Sequence, residues 1–261
     1  MSVAERFQGA NTVDAGKLSP YWGEHAARYR FAIPYIKEKA VLDIACGTGY
    51  GIGILKQYAK SVLGVDVDPE AARTASMERS ENAHVILGSG LKLPFPDGYF
   101  DAVVSFETLE HLHQRFLFLK ELHRVIKGGG SLILSTPNAI YTKPVNGKPS
   151  NPFHIFEYTP EELTKEVVSL FAIEKFLGQE LKQGFGIPPF YEAQKRLPDD
   201  LTTQSRLFVW KVVNKLPVHL RDGISQAIWK CPFYPTENDY VFEADITNSA
   251  PVLVVVCRKS E

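Results

Sequence analysis

The sequence predicts an α/β fold: a doubly wound sheet of seven strands with an insertion before the last strand. Three observations carry that expectation. Short apolar runs alternate with amphipathic stretches from residue 40 onward, the pattern of a parallel sheet covered by helices. A glycine-rich loop follows the first of those runs and opens a helix. A proline-rich stretch, residues 181–247, then breaks the rhythm before a closing apolar run.

The elements follow in order. The first 38 residues read as a polar start and then helix, with Tyr21, Trp22, Ala26, Tyr29, Ile33 and Ile36 near helical spacing. Residues 40–45, 61–67, 83–87 and 100–106 are the first four strands. Residues 113–126 read as a helix through Phe116, Leu119, Leu122, Val125 and Ile126, and Gly128–Gly130 is expected to end it. Residues 132–135 form the fifth strand. Helix 161–170 has Thr159 as its N-cap and Pro160 in its first turn. Strands six and seven are residues 172–177 and 252–257, with helical pieces expected near 205–214 and 221–229. The resulting organisation is a helical segment 1–38, a main domain of 39–180 completed by 246–261, and an insertion 181–245.

Composition bounds the class. With 261 residues, 44% hydrophobic and 23% charged, the chain buries a core without help from disulfides or metals. A net charge of -1 and a pI near 6.7 give no general attraction to nucleic acid. Cys46, Cys231 and Cys257 lie far apart and form no CxxC pair, which fits a reducing compartment. Residues 1–14 lack an apolar signal core, and no run approaches the ~18 apolar residues of a membrane span, so a cytoplasmic protein without a transmembrane segment is expected.

The loop is Val41-Leu42-Asp43-Ile44-Ala45-Cys46-Gly47-Thr48-Gly49-Tyr50-Gly51. Gly47 and Gly49 let the main chain turn sharply beside a ligand at a helix N-terminus. A dinucleotide fingerprint needs a third glycine at position 52, which is Ile52, and a phosphate-binding P-loop needs Gly-Lys-Ser/Thr, which is absent here. The second strand ends at Asp66, 23 positions after Asp43, where a carboxylate can take two ribose hydroxyls. Asp68, before Pro69, suits a helix cap. The third element runs from Gly88-Ser89-Gly90-Leu91 to "LPFPDGYFD", and the fifth strand ends in "LSTPN".

These motifs resemble class I S-adenosylmethionine (SAM) dependent methyltransferases, over roughly residues 40–178 and the closing strand. Two positions depart from that pattern: Ala45 replaces the usual first glycine, and Ser89 replaces the usual aspartate near the adenine. The resemblance implies a Rossmann-like sheet with its last strand antiparallel, SAM as cofactor, and S-adenosylhomocysteine as product. It also implies cofactor contacts at Arg28, Asp43, Ala45, Gly47, Gly49, Asp66, Val67, Ser89, Gly90, Leu91, Phe106, Glu107 and His111. Residues 1–38 would then act as a lid, and the insertion would lie on the acceptor or partner side.

Methyl transfer to oxygen needs alignment and a proton acceptor. His154, in "NPFHIFEYTPEEL", is the first candidate base, with Glu157 to orient it, and His111 is the second. Glu107, Glu110 and His111 share the spacing of a metal site attributed to quinone-biosynthesis O-methyltransferases, but a metal is the less favoured reading. The expected acceptor is a small molecule or glycan. A phenol or quinone is the alternative, and a non-catalytic SAM-binding protein is a third reading. No Asn-Pro-Pro-Tyr/Phe motif stands at residues 105–108, which disfavours nucleic-acid methylation. From Leu181 to Pro232 there are eight Lys/Arg against four Asp/Glu, which suits an anionic acceptor. That segment is also the candidate for a homodimer contact or a membrane-surface helix.

Overall fold

The computed structural model describes residues 21–149, 151–182, 187 and 194–261. The expected polar start of the chain and Pro188 and Pro189 lie outside the described residues. The chain divides into two compact units. Among the described residues, the first holds Arg28–Glu180 and Val241–Glu261, and the second holds 21–27 and Leu181–Tyr240.

The first unit is built on a sheet whose strands are β1 (Ala40–Ile44), β2 (Ser61–Asp66), β3 (Ala83–Leu87), β4 (Phe100–Phe106), β5 (Ile126–Pro137), β6 (Ala172–Leu181), β7 (Tyr240–Glu243) and β8 (Val252–Arg258). Their spatial order is β3-β2-β1-β4-β5-β8-β6-β7. The inner pairs β1–β2, β2–β3, β1–β4 and β4–β5 are parallel, and β8 runs antiparallel between β5 and β6. The chain works outward from β1 to β3 and then returns to β4. That reversal creates a crevice at the carboxyl ends of β1 and β4, the usual ligand edge of such sheets.

The sheet has eight strands where the sequence predicted seven. The additional one, β7, lies at the sheet edge inside the stretch read as insertion. Its four residues are too few to show alternation beside so many prolines. Gly128–Gly130 also differ from expectation: they lie within β5 instead of ending a helix. The strand begins at Ile126, directly after helix α4 (Arg115–Val125). An added Cβ at Gly130 would come within 2.9 Å of the Asp101 carbonyl oxygen, so close strand packing explains the glycine there.

Helices α1 (Trp22–Ile36), α2 (Tyr50–Leu55) and α3 (Pro69–Ala75) precede α4. The side chain of Asp68 caps α3 by accepting from the Ala71 N–H at 2.8 Å, as its place before Pro69 suggested. Helix α4 buries Phe118, Leu119, Leu122 and Val125 against Leu42, Ile44, Val103 and Leu132. Phe116, expected on that face, is exposed because it stands on the opposite side of the helix. After the short α5 (Ala139–Thr142), α6 (Pro160–Val168) starts with a capping box in which Thr159 and Glu162 satisfy each other's backbone N–H.

The second unit carries α7 (Leu201–Val213) and α8 (Val218–Trp229). Trp210 stacks on Phe233 with centroids 5.4 Å apart. The buried Arg221 guanidinium lies over Tyr234 and Phe233, 4.4 and 4.9 Å from their centroids. No helix of the described residues is long and apolar enough to cross a membrane.

Asn138, fully buried, ends β5 and closes the first unit. Its amide donates to the carbonyls of Thr247 and Ala250, both at 2.8 Å, and its oxygen accepts from the Ile140 N–H. Asn138→Ala leaves those groups unpaired and is expected to cost about 2–3 kcal/mol, lowering Tm by about 5–10 °C in a thermal scan.

Candidate functional site

The loop after β1 is shaped by its neighbours. Ala45 has φ 57°, in the left-handed region, so this alanine takes the backbone conformation that a glycine adopts without strain. Gly47 also has φ 57°, and a Cβ added there would meet nothing within 4 Å. Its amide donates to Asp66 Oδ2 at 2.8 Å. Asp66 Oδ1 accepts from the Asp68 N–H at 2.9 Å, so one carboxylate ties the exits of β1 and β2 together. Each oxygen keeps a second lone pair for a ligand. Val67, next to it, is largely exposed despite being apolar.

Beneath the loop, a Cβ on Gly51 would come within 2.0 Å of the Tyr29 ring, so the ring fits only against glycine. Tyr29 meets Tyr50 and Phe106 edge-on and donates its hydroxyl to Asp43, 3.2 Å from Oδ1 and 3.3 Å from Oδ2. Asp43 is fully buried there. Arg28, also fully buried, donates from Nη1 to Gln179 Oε1 at 2.9 Å. The Ser89 hydroxyl accepts from the Leu91 N–H at 3.3 Å. A Cβ on Gly90 would meet the Phe118 ring at 2.6 Å. Leu91 is exposed and Phe106 buried.

A second cluster forms at the ends of β4 and β5. Glu107 has φ 50° and accepts the Ser135 hydroxyl at 2.7 Å. Of the grouping expected from sequence, Glu110 and His111 stand with His154 as possible metal ligands. Ligand atoms of these three residues all lie within 4.8 Å of one another. His154 arrives there because the Ile155 and Phe156 N–H groups both donate to the Glu110 carbonyl, at 2.8 and 3.2 Å. The His111 and His154 rings meet edge-on at 4.9 Å.

Hydrogen bonding fixes the imidazoles. His154 Nδ1 lies 2.6 Å from Glu157 Oε1, and Nε2 lies 2.9 Å from Asn151 Nδ2. A carboxylate accepts and an amide nitrogen donates, so the proton sits on Nδ1 and Nε2 is the basic atom. Thr142 donates its hydroxyl to the other Glu157 oxygen. His111 Nδ1 donates to the Phe153 carbonyl at 3.0 Å, and its Nε2 lies 3.8 Å from Glu110 Oε1. Glu110 is fully buried; Thr136 donates to Oε2, while Oε1 has no hydrogen-bond partner among the described residues. Burial pushes its carboxyl well above the usual range, and Glu107 pushes the same way. Two imidazoles and one carboxylate form a donor set suited to a transition metal ion more than to magnesium.

The sequence pointed to Glu157 as a partner of His154 but not to Thr142, Asn151, Ser135 or Thr136. Asn151, three residues before His154, offered a local signal. Thr142 lies in a separate helix and offered none.

Burial pushes the Asp43 carboxyl up to about 8, with Asp66 adding to the rise and the Tyr29 hydrogen bond opposing it. The folded protein therefore holds a proton that the unfolded chain releases near pH 4, and stability falls as pH climbs toward 8. The loss from Asp43 between pH 5 and 8 is expected to be on the order of 3 kcal/mol. Asp43→Asn should remove that share, read by urea unfolding across the same range.

A family model described as "Methyltransferase domain" matches residues 42–134. Two mycobacterial proteins, each named "Probable S-adenosylmethionine-dependent methyltransferase", are similar to part of the chain. The one from Mycobacterium tuberculosis is 35% identical over 161 residues, covering 61% of this chain and 58% of that protein. The one from Mycolicibacterium smegmatis is 34% identical over 172 residues, covering 65% of this chain and 66% of that protein. The chain thus spans less than two thirds of these relatives' length. The solved structure of an S-adenosylmethionine dependent methyltransferase from Mesorhizobium loti has TM-score 0.53 at 17% identity, covering 92% of this chain and 98% of that one, a likeness of fold alone. Domain match and relatives agree: residues 42–134 form a methyltransferase domain similar to those of S-adenosylmethionine-dependent methyltransferases, which supports SAM as the cofactor.

Proposed function

We propose that the protein methylates an oxygen of a small or carbohydrate-type acceptor, such as part of a surface glycan or secondary metabolite, with His154 as general base. The observation that carries this reading is the His154 imidazole held at Nδ1 by Glu157, which makes Nε2 the basic atom; an acceptor hydroxyl would take the place of the Asn151 amide there. The dyad stands beside the ends of β4 and β5, at the ligand edge of the sheet.

The residues present fit SAM. The open space above Gly47 gives the main chain an uncovered face, and the spare lone pairs of Asp66 suit two ribose hydroxyls. Val67 and Leu91 offer exposed apolar surface for the adenine, and Ser89 and the backbone at Gly90 and Leu91 suit its polar edge. When bound, the cofactor supplies a methyl group already activated on a sulfonium. The chain's part is to align the acceptor and remove its proton. Gly49 shapes the loop, Phe106 and Glu107 close the end of β4, and Arg28 holds Gln179 and offsets Glu110. Asp43 and Ala45 support the loop from below. His111 would orient the acceptor next to His154.

A second reading rests on the Glu110–His111–His154 cluster, whose ligand atoms converge within 4.8 Å. A divalent ion there would favour a phenol or quinone acceptor, by lowering the pKa of the bound hydroxyl.

A screen of sugars, sugar nucleotides and phenols finds the acceptor. With it, His154→Ala and Glu157→Gln should lower turnover by about 10²–10⁴ while SAM binding by calorimetry is unchanged. Asp66→Ala should weaken SAM binding by about tenfold or more. Equal turnover in the His154 variant would remove it as base. Loss of turnover on chelation, restored by a divalent ion, would move the assignment to the second reading.

A further inference from the structure

Helix α7 is apolar on two opposite sides. Leu207 and Val213 are buried within the second unit, with Trp210 stacked on Phe233. On the other side Leu201, Phe208 and Val212 are 88%, 69% and 49% exposed, at positions that fall on one helical stripe. A surface helix normally turns polar residues outward, so this stripe asks for an apolar environment. Helix α8 adds Leu220 and Ile228, 49% and 60% exposed.

The charge around the stripe identifies that environment. Between Leu201 and Lys230 there are five basic residues and one acidic residue, Asp222. Arg221 is buried and paired with Asp222 at 3.3 Å. That leaves Arg206, Lys211, Lys215 and Lys230, all exposed, with no acid from Leu201 through Arg221. Lys211 and Lys215 border the apolar stripe, where long side chains can lie along an apolar surface and place their ammonium groups at a headgroup layer. Neither has an ion pair among the described residues.

We propose that α7, with α8 beside it, docks the protein on the surface of an anionic lipid bilayer. Leu201, Phe208 and Val212 enter the boundary between headgroups and acyl chains, and Lys211 and Lys215 meet the anionic headgroups. The 13 residues of α7 are too few to span a bilayer, so the helix lies in the interface. A second copy of the chain fits this face poorly, because two such surfaces would bring the lysines that border the stripe together. This inference is independent of the acceptor.

The test is flotation of the whole protein with vesicles of pure phosphatidylcholine or of phosphatidylcholine containing phosphatidylglycerol. Binding to the anionic vesicles alone, weakened by salt, is expected. Lys211→Gln with Lys215→Gln should weaken it by about fivefold per lysine at low salt. Phe208→Ser with Val212→Ser should abolish it. Unchanged SAM binding in both double variants shows that the first unit is intact. Absence of binding to anionic vesicles, or binding that neither double variant alters, overturns the proposal. Dimers that the Phe208/Val212 substitutions dissociate, in a protein that does not float with vesicles, would assign the face to a second copy.

Discussion

The Asp66 carboxylate is the constraint on which the cofactor edge depends. It accepts from the Gly47 and Asp68 amides at once, so the exits of two adjacent strands cannot move apart without stranding a buried negative group. Tyr29 does the complementary work from beneath, filling the space that Gly51 vacates and satisfying Asp43. The two carboxylates divide their duties by environment. Asp43, dry and neighbouring Asp66, has its carboxyl pushed up to about 8 and keeps its proton near neutrality.

The strands and the glycine loop were legible because their signals are local. An apolar run of five or six residues, an acid at its tip and glycines at once after it leave few alternatives. Asp68 was readable as a cap for the same reason: a proline follows it and its partner is three residues on. The adjacent acid, Asp66, differs only in facing across to the neighbouring strand's loop. Gly128–Gly130 misled because a glycine cluster after a helical pattern looks like a helix end, whereas at Gly130 the close approach of Asp101 in the neighbouring strand leaves no room for a side chain.

The composition of the second cluster was less legible, because it depends on contacts distant in sequence. Residues 107, 110 and 111 suggested one grouping by spacing alone. The structure sets His154 beside Glu110 and His111, brought in 43 positions after His111 by backbone hydrogen bonds, while Glu107 accepts from Ser135 at the end of a different strand. No periodicity or motif encodes that arrangement. Tyr29 and Gly51 were equally hidden as a pair, since only packing shows that the ring of one needs the bareness of the other.

The attachment of residues 155 and 156 to the Glu110 carbonyl involves main chain on both sides. Such a hinge is indifferent to which side chains it carries. Residues 154–156 can therefore exchange their side chains while these main-chain bonds, and the Asn151 side chain that accepts from the Phe153 N–H, keep the path of the polypeptide. Chemical preference and scaffold are separately mutable here, which makes this short segment the natural place to redirect the enzyme by design.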